Sequence, residues 1–191
     1  MKKLKINLQK HLELSETDWQ KFKERINMKA INAGTQLVNE GQIATHLYFI
    51  DIGLLRVYHL EDGKEVNTYF ACDGQFISCY ASFVAQTPSF EYLEAIEDSM
   101  VFAISYENLS QLYSESSGFE RIGRILAEKN YLCLIDRFYS MQTKTATGKY
   151  LDFIENHEKK IVQRVPQYQI ASFLGIAPES LSRVRKHLLT S

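Results

Sequence analysis

The chain of 191 residues has only three cysteines. Cys72, Cys79 and Cys133 lie far apart in unlike contexts, which excludes a paired disulfide framework and a CxxC metal site. They read as small, reduced, buried residues of a cytoplasmic protein. No eighteen apolar residues run together, so no membrane span or membrane partner is expected. The start, MKKLKINLQKHLELS, carries lysines but lacks the continuous apolar core and small-residue cleavage site of a signal peptide. No HxH pair is present, and metal-dependent cupin-type chemistry needs two or three histidines and a carboxylate converging on one cation. His46 and His59 stand thirteen residues apart, with Glu61 and Glu65 nearby, and His11 is isolated. Each reads as a solvated or satisfied histidine in preference to a haem or metal ligand. No cysteine precedes Cys72, which leaves an iron–sulfur cluster without ligands there. The expectation is a protein with no catalytic residues, no metal and no cofactor.

What is present is an ordinary folded composition, 45% hydrophobic and 24% charged, with a net charge of −1. The charge is unevenly spread. Residues 144–191 hold eight Lys/Arg against four Asp/Glu, a net of +4, which leaves −5 for the remainder. A basic end on an acidic body suits a polyanionic duplex, whose condensed counterions are released when lysines and arginines replace them.

Three kinds of period succeed one another along the chain. Ser15 with Asp18 three residues on resembles a capping box and predicts a short helix through about Ile26. From Gln36 to Ile104 come β-rich runs, LVNE, HLYFI, LLRVYHL, EVNTYFA and YLEAI, punctuated by Gly34, Gly41, Gly53, Asp62-Gly63 and Asp73-Gly74. Asp62-Gly63 predicts a tight hairpin, since both residues tolerate positive φ. Many short strands predict an antiparallel β-roll or jelly roll whose interior can hold a small ligand. After a short helix near Glu107–Tyr113, residues 118–142 contain no proline and predict one helix about 37 Å long. Ile125, Leu132, Ile135 and Tyr139 on it form a coiled-coil seam, with Glu128 and Gln142 at seam positions that would ideally be apolar. The seam favours dimerisation over packing on the roll. TKTATG, residues 143–148, reads as a hinge, and Ile161–Val165 as a small strand. Three domains are therefore expected: a sensor roll over 1–117, a dimerisation helix and hinge over 118–143, and a DNA-binding domain over 144–191.

The last stretch, VPQYQIASFLGIAPESLSRVRKHLL, predicts two helices joined by a tight turn at Gly175, the second opening at Pro178. Ile170, Ala171 and Leu174 stripe the first helix and Leu181, Val184 and Leu188 the second, so the two can pack together. Glu179, Ser180, Ser182, Arg183 and Lys186 remain on the second helix's polar face, a set suited to base edges and phosphates. The plainer alternative is a solvated Glu179–Arg183 pair four residues apart, worth about 0.2–0.5 kcal/mol.

The order of parts resembles the Crp/Fnr family of transcription regulators over nearly the whole chain. The resemblance is carried by EGQIATHLYFIDIGLLRVY, DGQFIS, EAIEDSMVFAIS and QIASFLGIAPESLSRVRKHL. It implies an α+β protein with an N-terminal antiparallel, jelly-roll-like β-roll, a long dimerisation helix and a C-terminal winged helix-turn-helix. By resemblance Glu179 and Arg183, flanked by Ser180 and Ser182, match base-contacting positions. Gln167 and Tyr168, beside Pro166, match phosphate-touching ones, where Lys186 is also expected to act. Pro178 stands where the family commonly has an arginine, which removes one guanine-directed fork. Cyclic-nucleotide-binding members carry a Gly-Glu pair for the ribose and an Arg-Ser pair for the phosphate. Here the corresponding residues are Ser78-Cys79 and Ser89-Phe90, and no cation falls within 75–90. A buried phosphate without a paired arginine is costly to desolvate, so the expected effector pocket should not answer to cyclic AMP. These four residues either fill a pocket that has lost its ligand or line one for a less charged effector of unknown identity. Double-stranded DNA and a second copy of the chain are the expected partners, and the resemblance brings in RNA polymerase as a further one. The competing expectation is a β-roll small-molecule-binding protein or cupin-like enzyme without DNA function.

Overall fold

The β-rich runs fold into two four-stranded antiparallel sheets packed face to face. One is ordered β1 (Ile26–Ile31), β8 (Ser99–Ser105), β3 (His46–Ile52), β6 (Phe76–Ile77), and the other β2 (Gln36–Val38), β7 (Tyr92–Ala95), β4 (Leu54–Glu61), β5 (Lys64–Cys72). The computed structural model describes residues 1–10 and 15–190; His11 lies outside the described residues. The β4–β5 hairpin turns at Asp62-Gly63, with φ of 51° and 74°, and pairs Glu61 with Lys64. The period of two then sorts side chains between two cores. Leu55, Val57 and Ala71 enter the roll's interior with Phe49, Ile50, Leu93 and Val101, whereas Leu54, Phe70 and Cys72 point outward into a second core. Gly53 lets β3 and β4 meet β8 closely, because an added Cβ would stand 2.1 Å from the Ser99 hydroxyl.

Helices close the roll. α2 (Glu16–Glu24) starts as its capping box predicts, with the Ser15 hydroxyl accepting the Asp18 amide at 3.0 Å, and it ends before Ile26, which begins β1. α1 (Lys2–Gln9) buries Leu4 and Leu8, one turn apart, against the same core. α3 (Tyr80–Ala85) and α4 (Tyr106–Glu115) follow β6 and β8. α5 (Ser117–Thr143), 27 residues, packs its first turns on the roll through Phe119 and Ile122, with Phe119 stacked on Phe22 at 5.7 Å. Its second half leaves the roll's core and carries Tyr131, Leu132, Leu134, Phe138 and Tyr139 exposed, and Cys133 among them is exposed too, not buried like Cys72 and Cys79, because that half of the helix has no core to pack on.

The break in the helical run is shorter than the sequence predicts. Only Lys144 and Thr145 separate α5 from α6 (Ala146–Asn156), and Thr145 caps the new helix by accepting the Gly148 amide. Ile161–Val165 is not a strand: it lies in and just after α7 (Lys159–Arg164), because Ile161 and Val165, four residues apart, are both buried in the second core. Burial at helical spacing overrides the β-branched propensity of that run. Among the described residues the chain beyond Ser105 is helical with no strand, so Ile161–Val165 supplies no strand to the expected winged helix-turn-helix. α8 (Gln167–Leu174) and α9 (Pro178–Thr190) follow α7.

Candidate nucleic-acid interface

The α8–α9 pair is built as its sequence predicts. Gly175 closes α8 in the left-handed region (φ 61°, ψ 41°), and the Ile176 amide reaches back to the Ala171 carbonyl at 3.1 Å. Pro178 opens α9, where no amide is needed, while the Ala177 carbonyl takes the Ser180 and Leu181 amides. Leu181 is buried and Val184 and Leu188 pack on the second core, which fixes the rotation of α9 about its axis. That rotation turns Glu179, Ser182, Arg183 and Lys186 to solvent, with Ser180 half-buried at the edge. Arg183 Nε donates to the Glu179 main-chain oxygen at 3.4 Å, and the two side chains form no ion pair. Glu179 to Lys186 spans about 10 Å of helix, which fits the length of a major-groove contact about 12 Å wide.

Tyr168 is 58% exposed, whereas Gln167 is half-buried. Gln167 Oε1 is buried without a partner among the described residues.

α8 is also fastened to the roll. The Ser172 hydroxyl donates to the Glu65 carbonyl at 2.8 Å and accepts the Asn67 amide at 3.0 Å, so it takes both outward main-chain groups of β5 there. Arg137 on α5 donates to the carbonyls of Thr68, Asn67 and Phe173, and its guanidinium lies 4.3 Å from the Phe173 ring centroid. Phe173 in turn packs on Phe70 and Phe153. Lys160 of α7 bridges Asp73 at 2.7 Å and Glu97 at 2.6 Å. Nothing in the sequence signals this junction, since Ser172, Arg137 and Lys160 each look like ordinary surface residues of their helices.

The seam residues divide on α5. Leu132 and Tyr139 are 59% exposed, while Ile125 and Ile135 are half-buried. The four pocket residues divide too. Ser78 and Phe90 line a cavity between the roll and α5. Cys79 and Ser89 are buried away from it and hold main chain instead: Ser89 Oγ donates to the Glu91 carbonyl at 2.9 Å and accepts its amide at 3.0 Å, and Cys79 Sγ approaches the same carbonyl at 3.7 Å. Burial pushes the Cys79 thiol up to about 12, so it stands as an uncharged, apolar filler. Thr68, Tyr69 and Glu91 are among the lining residues that the sequence prediction missed.

Residues 28–116 match the cyclic nucleotide-binding domain family. No curated protein matches the chain in sequence. Among solved structures, FixK2 from Bradyrhizobium japonicum superposes with a TM-score of 0.76 at 18% identity, over 86% of this chain and 85% of that one. The c-di-GMP responsive global regulator CLP from Xanthomonas campestris gives 0.68 at 20% identity, over 92% of each chain. A putative transcriptional regulator of the Crp/Fnr family from Eubacterium rectale gives 0.70 at 20% identity, over 93% of this chain and 85% of that one. The shared fold thus extends through the roll, the long helix and the C-terminal helices.

Proposed function

We propose that this chain is a sequence-specific transcription regulator of the Crp/Fnr type, a homodimer on a palindromic duplex that does not answer to cyclic AMP. The observation that carries the reading is the solvent-facing row Glu179, Ser182, Arg183 and Lys186 on a helix whose opposite side is fixed by buried Leu181. In this reading Glu179, Ser180, Ser182 and Arg183 read base edges, while Gln167, Tyr168 and Lys186 meet phosphates. Two of the structural relatives are described as regulators, one of them linked to virulence gene expression, which supports assigning regulation here.

The exposed apolar row on α5 supports dimerisation through Leu132 and Tyr139, with Ile125 and Ile135 beside them. A two-fold pair would set its reading helices about 34–36 Å apart, one helical turn of duplex. Residues 1–117 then serve as sensor, 118–143 as dimer helix and hinge, and 144–191 as reader. The test is selection of bound duplexes from a random pool, with and without cyclic AMP. An enriched inverted repeat, unchanged by the nucleotide, is expected; no enriched sequence would remove the reading.

A further inference from the structure

The cavity between the roll and α5 has a volume of about 1130 Å³. It is large enough for an organic ligand of drug size. Val57, Tyr69 and Phe83 wall it from the roll and Leu126 and Leu134 from α5. Into this largely apolar, partly open cleft the chain sends one half-buried carboxylate, that of Glu91. Its position is built with care. Ser89 and Cys79 hold its main chain, and Thr68 Oγ1 donates to its Oε1 at 2.7 Å. The charged side chains Glu120, Arg124 and Lys129 also border the cavity, but they are exposed on α5, and Arg124 is engaged by Glu128 at 2.5 Å.

We propose that this cavity binds a small organic cation, an amine or amidine head on the Glu91 carboxylate with an apolar body against Tyr69, Phe83 and Leu126. A carboxylate brought out of water is costly unless an opposite charge meets it. Burial pushes the Glu91 carboxyl above its ordinary range, and neither the Thr68 hydroxyl nor the charges of His59 and Arg137 bring it back. A ligand ammonium adds a further opposite charge to those of His59 and Arg137, and the aliphatic and aromatic walls take the rest of the molecule. The same geometry works against anions. Where cyclic-nucleotide binders place an Arg-Ser pair, this chain has Ser89-Phe90 followed at once by Glu91, so a phosphate would meet a negative group in a poorly screened site. Glu91 also has a route outward: the Thr68 side chain holds it, while the Thr68 carbonyl takes the Arg137 guanidinium that binds the Phe173 carbonyl of α8.

The inference rests on reading the roll as a sensor, and its test does not use DNA. The full chain is titrated calorimetrically with phenylbutylamine and with phenylbutyrate, which share a body and differ in the sign of the head. Saturable binding of the amine, at least about tenfold tighter than the carboxylate, is expected. Glu91→Gln, which keeps shape and loses charge, should abolish that preference with the thermal midpoint retained, and Glu120→Gln should leave it within about twofold. Equal binding of the two probes, an intact preference in Glu91→Gln, or no saturable amine binding up to about 10 mM would overturn the proposal. Failure of duplex selection would strike the regulator reading alone and leave these titrations standing.

Discussion

Arg183 and Lys186 share the open side of α9 but differ in what they can recognise on a duplex. A guanidinium offers a rigid fork that matches guanine O6 and N7, whereas an ammonium is a point charge suited to phosphate. Arg183→Ala should cost ~1–3 kcal/mol on the selected duplex and relax base preference at one position. Lys186→Ala should weaken selected and random duplexes alike and lower the salt slope by about 1. Titration of both variants against both duplexes over a range of salt checks this division, and equal losses for Arg183→Ala on the two would end its base-reading role. Gly175 tests the turn itself. A side chain there must adopt φ near 61° and approach Met141 Cε to 3.2 Å. Gly175→Ala should destabilise by about 1–2 kcal/mol in denaturant titration. At this scale the sequence was most legible where one residue type alone suits a backbone need, as at Gly175, Pro178 and Asp62-Gly63. It was least legible in the cavity wall. Resemblance supplies positions but not which way a side chain turns, so Cys79 and Ser89 looked like ligand contacts and proved to be struts for Glu91.

Elements follow the same logic one level up. The strands were readable because alternation and glycine punctuation are local, and α5 because nothing interrupts its run. α1, β1 and α7 were not, since what makes each of them is a partner distant in the chain. Leu4 and Leu8 need the roll, β1 needs the register Ile26↔Ile104 to Ile31↔Ser99 with β8, and Ile161 needs the second core. Arg137 is the clearest such case, because it satisfies carbonyls of β5 and of α8 at once. Arg137→Met keeps length and loses those bonds. It should cost ~2–4 kcal/mol, by leaving buried carbonyls unmet, and should speed hydrogen exchange in α8 while the β3 and β8 amides stay protected. Uniform loss of protection through both sheets would show that Arg137 supports the whole fold and not the α8 attachment.

For the whole molecule, two surfaces and one titration matter. Leu132→Asp with Tyr139→Asp places like charges on the uncovered row of α5, and sedimentation should then find single chains that keep their helical content, as neither side chain is buried within the chain itself. Acid should loosen the union of roll and reader. His157 stacks on Phe153 at 4.3 Å and meets Phe173 edge-on. Burial holds its imidazole below the ordinary 6.5, with its bond to the Phe153 carbonyl opposing and Arg137 assisting. The unfolded chain therefore takes up the proton first. This contribution to stability is complete above 6.5 and is lost as pH falls toward the lowered folded value, with His46, lowered by burial and Lys29 against Glu107, acting in the same sense. Melting curves between about pH 7.5 and 5.5 should fall for the native chain and fall less for His157→Phe.

Ser172 gives the molecule a further property. β5 is a terminal strand of its sheet, and this single hydroxyl meets the main-chain groups of Glu65 and Asn67 that a neighbouring strand would otherwise claim. Any state in which α8 and α9 swing free uncovers a raw strand border, open to pairing with other chains. Release of α8 and self-association are thus coupled, so detachment of α8 should favour association of chains unless another partner shields the bared border.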